Sequence, residues 1–108
     1  MAIDFKFAEA AEREYLDAVR YYSGTASDLE VAVRFLAAVE DAIATICAAP
    51  LVWRIVDKPD VRRYVLRRFP YVIYYRFRTD SQTVEIYAVM HTSRKPDYWR
   101  NRNGPAGG

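Results

Sequence analysis

Cysteine, histidine and glycine are scarce in this chain of 108 residues, which has one Cys, one His and four Gly. A lone cysteine excludes a disulfide framework, and Cys47, on the apolar side of a helical pattern, reads as a small core residue. One histidine without a cysteine or carboxylate cluster offers too few ligands for a metal centre, and no cofactor is expected. No glycine-rich loop is present to cradle a phosphate. No apolar run is long enough to span a bilayer, and the acidic N-terminus MAIDFKFAEAAERE does not read as a secretory signal. The cytoplasm is the expected compartment.

What is present is a globular composition, 52% hydrophobic and 28% charged, at a length that suits one core. A single domain is expected over residues 1–103, with Gly104-Pro105-Ala106-Gly107-Gly108 as a disordered tail. Nine tyrosines stand out, each pairing an apolar ring with a polar tip that suits half-buried or partner-facing positions. The net charge of +2 hides an asymmetry. Residues 1–50 carry four Lys/Arg against nine Asp/Glu, a net of −5, and residues 51–108 carry twelve against five, a net of +7. The basic half fits a phosphate backbone or an acidic protein segment.

Periodicity divides the chain into a strand, two helices and three strands, an α+β order. Ile3–Phe7 alternates as a short strand, with Ile3, Phe5 and Phe7 on one side. Ala8–Tyr22 carries an apolar stripe at helical spacing through Ala11, Tyr15, Ala18, Val19 and Tyr22, and Ser23-Gly24-Thr25 ends it. Ser27 and Glu30 form a capping box that opens a second helix with apolar positions Ala32, Phe35, Leu36, Val39, Ile43, Ile46 and Cys47, stopped by Pro50. So short a link predicts an antiparallel helical hairpin. Pro50–Asp60 reads as a loop anchored by Trp53. Strands are expected at Val61–Arg67, Tyr71–Arg78 and Thr83–His91, the last two joined by a short turn and therefore antiparallel.

Strict alternation then assigns the faces. Tyr64, Leu66, Tyr71, Ile73, Tyr75, Phe77, Val84, Ile86, Ala88 and Met90 point at the helices. Arg63, Val65, Arg67, Val72, Tyr74, Arg76, Arg78, Glu85, Tyr87, Val89 and His91 point away. An open face with valines and tyrosines among arginines reads as a binding surface.

The run from Val61-Arg62-Arg63 through Leu66, Phe69-Pro70-Tyr71, Ile73 and Tyr75, followed by Ala88-Val89, His91, Arg94, Pro96, Tyr98-Trp99 and Arg102, resembles the RelE/ParE toxin superfamily. Ala10, Glu12, the Tyr21-Tyr22 pair and the Phe35, Glu40, Ile43, Ile46 series fit its ParE-like branch, and the resemblance spans Phe5 to about Arg102. It implies a growth-inhibiting toxin of a type II toxin–antitoxin pair, of the kind linked to plasmid stabilization. It also implies a cognate antitoxin that wraps the toxin by strand addition or a helix in a groove and that alone supplies contacts to operator DNA.

Two targets follow from the resemblance. ParE-like members disable DNA gyrase without known catalysis, and RelE-like members cut mRNA on the ribosome. RNA cleavage needs a base for the 2′-OH, cations for the phosphate and an acid for the leaving oxygen. His91, Arg67 and Tyr98 best match the ribonuclease positions, with Arg63 and Arg94 as further cations. The chain lacks the lysine cluster of RelE-like members ahead of the sheet, having only Lys58 there. The helical hairpin and the His91-x-x-Arg94 ending favour the gyrase-binding branch; mRNA cleavage and a non-toxic structural member are the alternatives. The partner-facing set is Arg63, Arg67, Val72, Tyr74, Arg76, Tyr87, Val89, His91, Arg94, Tyr98 and Trp99.

Overall fold

The computed structural model describes residues 3–24 and 29–93. The element order is β1 (Asp4–Phe7), α1 (Glu9–Gly24), α2 (Leu29–Ala48), β2 (Ile55–Asp57), β3 (Val61–Val65), β4 (Tyr71–Arg78) and β5 (Thr83–His91). The strands form one sheet in the order β1-β5-β4-β3-β2. β1 runs parallel to β5, and the remaining pairings are antiparallel. The expected α+β class holds, with a five-stranded mixed sheet where three antiparallel strands were read.

Three sequence-based boundaries change. The segment read as a loop between Pro50 and Asp60 contains β2, which pairs Ile55 with Arg62 at the sheet edge. β3 ends at Val65, short of the expected Arg67. α1 continues through Ser23 and Gly24. Ser27 of the capping box lies outside the described residues.

The helices pack on one face of the sheet. Tyr22 meets the Phe35 ring at 5.1 Å between centroids, and Tyr15 lies close enough to Glu40 to feel its charge, so the helices run in opposite directions. Phe35 is fully buried and is ringed by Tyr22, Phe69 and Tyr71 at 5.1–5.2 Å. Under the helices lie Ile73, Tyr75, Phe77, Val84 and Ile86, in the main core. The Tyr75 hydroxyl, at the centre of this core, donates to the Pro50 carbonyl at 2.7 Å and fixes the exit of α2 over the sheet. Arg62 holds the next stretch, donating to the carbonyls of Leu51 at 3.0 Å and Trp53 at 2.7 Å. Trp53 packs edge-on against Tyr64 at 4.8 Å, which agrees with its expected anchoring role.

Candidate functional site

The register between β4 and β5 decides which groups share a face. Tyr71 pairs with His91, Val72 with Met90, Ile73 with Val89 and Tyr74 with Ala88, but Tyr75 pairs with Ile86. Tyr87 is therefore an extra residue opposite the Tyr74–Tyr75 step, a β-bulge. Directly opposed residues point the same way, so an inserted residue reverses the alternation from that point on. Val84 and Ile86 face the helices as read from the sequence. Beyond the bulge the expectation is inverted: Val89 and His91 turn to the helix side, and Ala88 and Met90 turn outward.

Val89 is thus a core residue, 2% exposed and packed in the main cluster. Its amide points past the end of β1, where no strand continues the ladder, and the Glu14 carboxylate of α1 accepts it at 3.0 Å. His91 is exposed at the rim, its ring edge-on to Tyr71 at 5.3 Å. The His91 Nδ1 accepts the Ser93 backbone N–H at 3.1 Å and lies 2.8 Å from the Ser93 hydroxyl. The hollow it borders, about 240 Å³, is also lined by Glu14, Asp17, Ala18, Tyr21, Tyr71, Val89 and Met90. Among the described residues, two carboxylates and no lysine or arginine line it.

The outer face is divided. Val72 and Tyr74 were expected to be open but are 7% and 5% exposed, clustered with Val61, Ala88 and Met90. Arg63 and Val65 do stand exposed on it, as expected. Arg76 also lies there, half covered, bonded to Asp60 and to the Tyr87 hydroxyl at 3.2 Å. Burial alone would lower the pKa of Arg76, but these two partners outweigh it and hold the guanidinium above its ordinary value. Arg78 clasps Glu85 at 2.8 Å beside the same hydroxyl. The bulge therefore sets Tyr87 as a bridge between two ion pairs.

Arg67 departs from its expected face. Because β3 stops at Val65, Arg67 no longer follows the strand's alternation, and it borders a separate hollow of about 370 Å³ on the α2 side with Asp41, Thr45, Trp53 and Tyr64. Arg94, Tyr98 and Trp99 lie outside the described residues. Sequence reasoning missed Glu14 and Asp17, whose part depends on the bulge, and Asp60, whose bond to Arg76 spans sixteen positions. Among the described residues no group of three or more His, Cys, Asp or Glu is placed to hold a metal ion, and no helix is long and apolar enough to cross a membrane.

No match is found among curated proteins. Solved structures do match. The chromosomal ParDE toxin–antitoxin system of P. aeruginosa aligns with a TM-score of 0.69 and 16% identity, over 83% of this chain and 96% of that one. The isolated E. coli RelE toxin aligns with a TM-score of 0.63 and 16% identity, over 94% and 97%. A chain of the RelBE2 toxin–antitoxin complex of Mycobacterium tuberculosis aligns with a TM-score of 0.56 and 22% identity, over 84% and 99%. At such identities these similarities establish a shared fold. In sequence, residues 5–96 match the family model of the ParE toxin of type II toxin–antitoxin systems, parDE. With that match covering most of the chain, and the fold agreeing, the protein belongs to the ParE toxin family within the RelE/ParE superfamily.

Proposed function

We propose that the chain is a growth-inhibiting toxin, restrained by a cognate antitoxin in the cytoplasm, which acts by binding DNA gyrase and does not cut RNA. The observation that carries this is the position of His91. The bulge at Tyr87 turns the only histidine away from the outer face that bears Arg63 and Arg76, and towards Glu14 and Asp17 of α1. A general base for RNA cleavage must stand beside cations that neutralise the phosphate. The Glu14 and Asp17 carboxylates of α1 that line this hollow repel a phosphate instead. Arg67, the cation read with His91 as a catalytic partner, borders the other hollow. Membership of the ParE family agrees with a target reached by protein contact.

The test is a supercoiling assay with purified gyrase, paired with growth assays of His91→Ala. Wild-type toxin should inhibit supercoiling or trap cleaved DNA, and His91→Ala should still stop growth when expressed without antitoxin. No effect on gyrase at saturating toxin, together with ribosome-dependent mRNA cutting that disappears in His91→Ala, would overturn the proposal.

A further inference from the structure

Among the described residues β1 pairs only with β5, so its other side is an edge of the sheet. The Asp4 amide donates to the Gln82 carbonyl at 3.2 Å and the Ala8 amide to that of Ile86 at 2.9 Å. Peptide groups alternate sides along a strand, so the Phe5 N–H and C=O point away from β5, out of the sheet edge. Asp4, Phe5 and Lys6 are all exposed, Phe5 by 51%. The Phe5 ring borders a hollow of about 440 Å³ between β1 and α2, shared with Ile3 and with Ile43, Ala44 and Cys47 of the helix. A strand edge of this kind is a template for another strand. The opposite edge is blunted, because β2 has three residues, its register shifts between Ile55 and Asp57, and Pro59 follows it. On β1 the only such guard is the charge of Lys6, and that charge can be matched.

The match comes from the strand's own sequence, Asp4-Phe5-Lys6. In an antiparallel pairing of two copies centred on Phe5, Asp4 of each copy stands opposite Lys6 of the other. Phe5 stands opposite Phe5, exchanging both of its outward backbone bonds, and Ile3 stands opposite Phe7. One face of the joined strands is then apolar, continuous with the two hollows under α2, and the other carries two ion pairs. Neither Asp4 nor Lys6 has an ion-pair partner among the described residues. Sliding the register by two residues either way sets Asp4 against Asp4 or Lys6 against Lys6, and like charges directly opposed are unfavourable. A slip of one residue puts apolar and charged sides on the same face.

We propose that β1 is a dimerisation edge, through which two copies join their sheets antiparallel about a two-fold axis at Phe5. The same patch serves both copies, so the contact closes at two and leaves no strand for a third. One short strand per copy makes a small interface, in the transient class below about 1,200 Å², so the dimer forms as toxin concentration rises. The inference goes beyond the choice of target and holds whichever one the toxin engages.

The test is sedimentation of the full chain, free of antitoxin, over a series of concentrations. A reversible monomer–dimer equilibrium is expected. Asp4→Lys alone and Lys6→Asp alone each turn both opposite-charge pairs into like-charge pairs, and each should weaken the dimer by about tenfold. Mixed together, these two variants should associate with each other more tightly than either does with itself. The chain carrying both changes should dimerise as the wild type does. Both positions are exposed, so far-ultraviolet circular dichroism should not change. Phe5→Asp, at the axis, should leave the chain monomeric and serves if a charge variant fails to fold. A wild-type chain that stays monomeric at the highest concentration reached overturns the proposal. So does a dimer indifferent to these substitutions, which must use another face. Protection of the Phe5 amide from hydrogen exchange that appears only with antitoxin assigns the edge to that partner and overturns it too.

Discussion

Replacing Glu14 by alanine tests the link between α1 and the bulged strand. In the wild type the Glu14 carboxylate accepts the Val89 amide at 3.0 Å, across 75 positions of sequence, at a place 2% exposed to solvent. A hydrogen bond to a charged group contributes about 1.5–3 kcal/mol, and a buried donor left without a partner costs a similar amount. Glu14→Ala should therefore lose about 2 kcal/mol, a large part of the roughly 5–15 kcal/mol that holds a small domain folded. For a urea dependence of about 1–3 kcal/mol per molar, the unfolding midpoint should fall by about 1 M. Glu14→Gln keeps a carbonyl acceptor but not the charge, and should recover about half of the loss. Hydrogen exchange read at the Val89 amide gives the local signal, since protection there should fall more in Glu14→Ala than at amides deep in β4. The reasoning is refuted if Glu14→Ala unfolds within about 0.5 kcal/mol of wild type, or if Val89 exchange is unchanged.

Other outcomes follow from the same structure. Phe35→Ala should cost about 3–5 kcal/mol in equilibrium unfolding, because the ring is fully buried among other aromatic rings. Tyr75→Phe should cost about 1–3 kcal/mol near neutral pH by leaving the Pro50 carbonyl unpaired. Burial raises the pKa of Tyr75 well above the ordinary tyrosine value of 10.0, so the folded state keeps a proton that the unfolded chain releases. Its contribution is full below pH 10 and is lost as pH rises beyond it; a titration of stability should show a steeper alkaline fall in wild type than in Tyr75→Phe. Arg62→Met should free the segment from Leu51 to Trp53, lowering stability by about 1.5–3 kcal/mol and changing Trp53 fluorescence.

The helices and the central strands were legible because their patterns are long. The stripe from Ala32 to Cys47 and the alternation from Tyr71 to Phe77 both extend over enough residues to fix a period and a buried side. Membership of the toxin superfamily was legible for a related reason, since its motif residues recur in order over most of the chain. β2 was not legible: three residues, Ile55-Val56-Asp57, between prolines at 50 and 59, show no period. The parallel pairing of β1 was also hidden, because a four-residue strand does not reveal its neighbour. The site suffered most at Tyr87. A bulge needs no glycine or other marked residue, so alternation carried across it placed Val89 and His91 on the wrong side and overlooked Met90. Arg67 was misplaced for a simpler reason, the early end of β3.

The extra residue at Tyr87 separates a position in the last strand from the surface it serves. The bulge absorbs the insertion, so a relative with one residue fewer here and a regular ladder would present the same letters at the strand's end on the same faces. Deleting Tyr87 would restore strict alternation, leave Ala88 opposite Tyr74 and Val89 opposite Ile73, and remove the hydroxyl that lies between the two ion pairs.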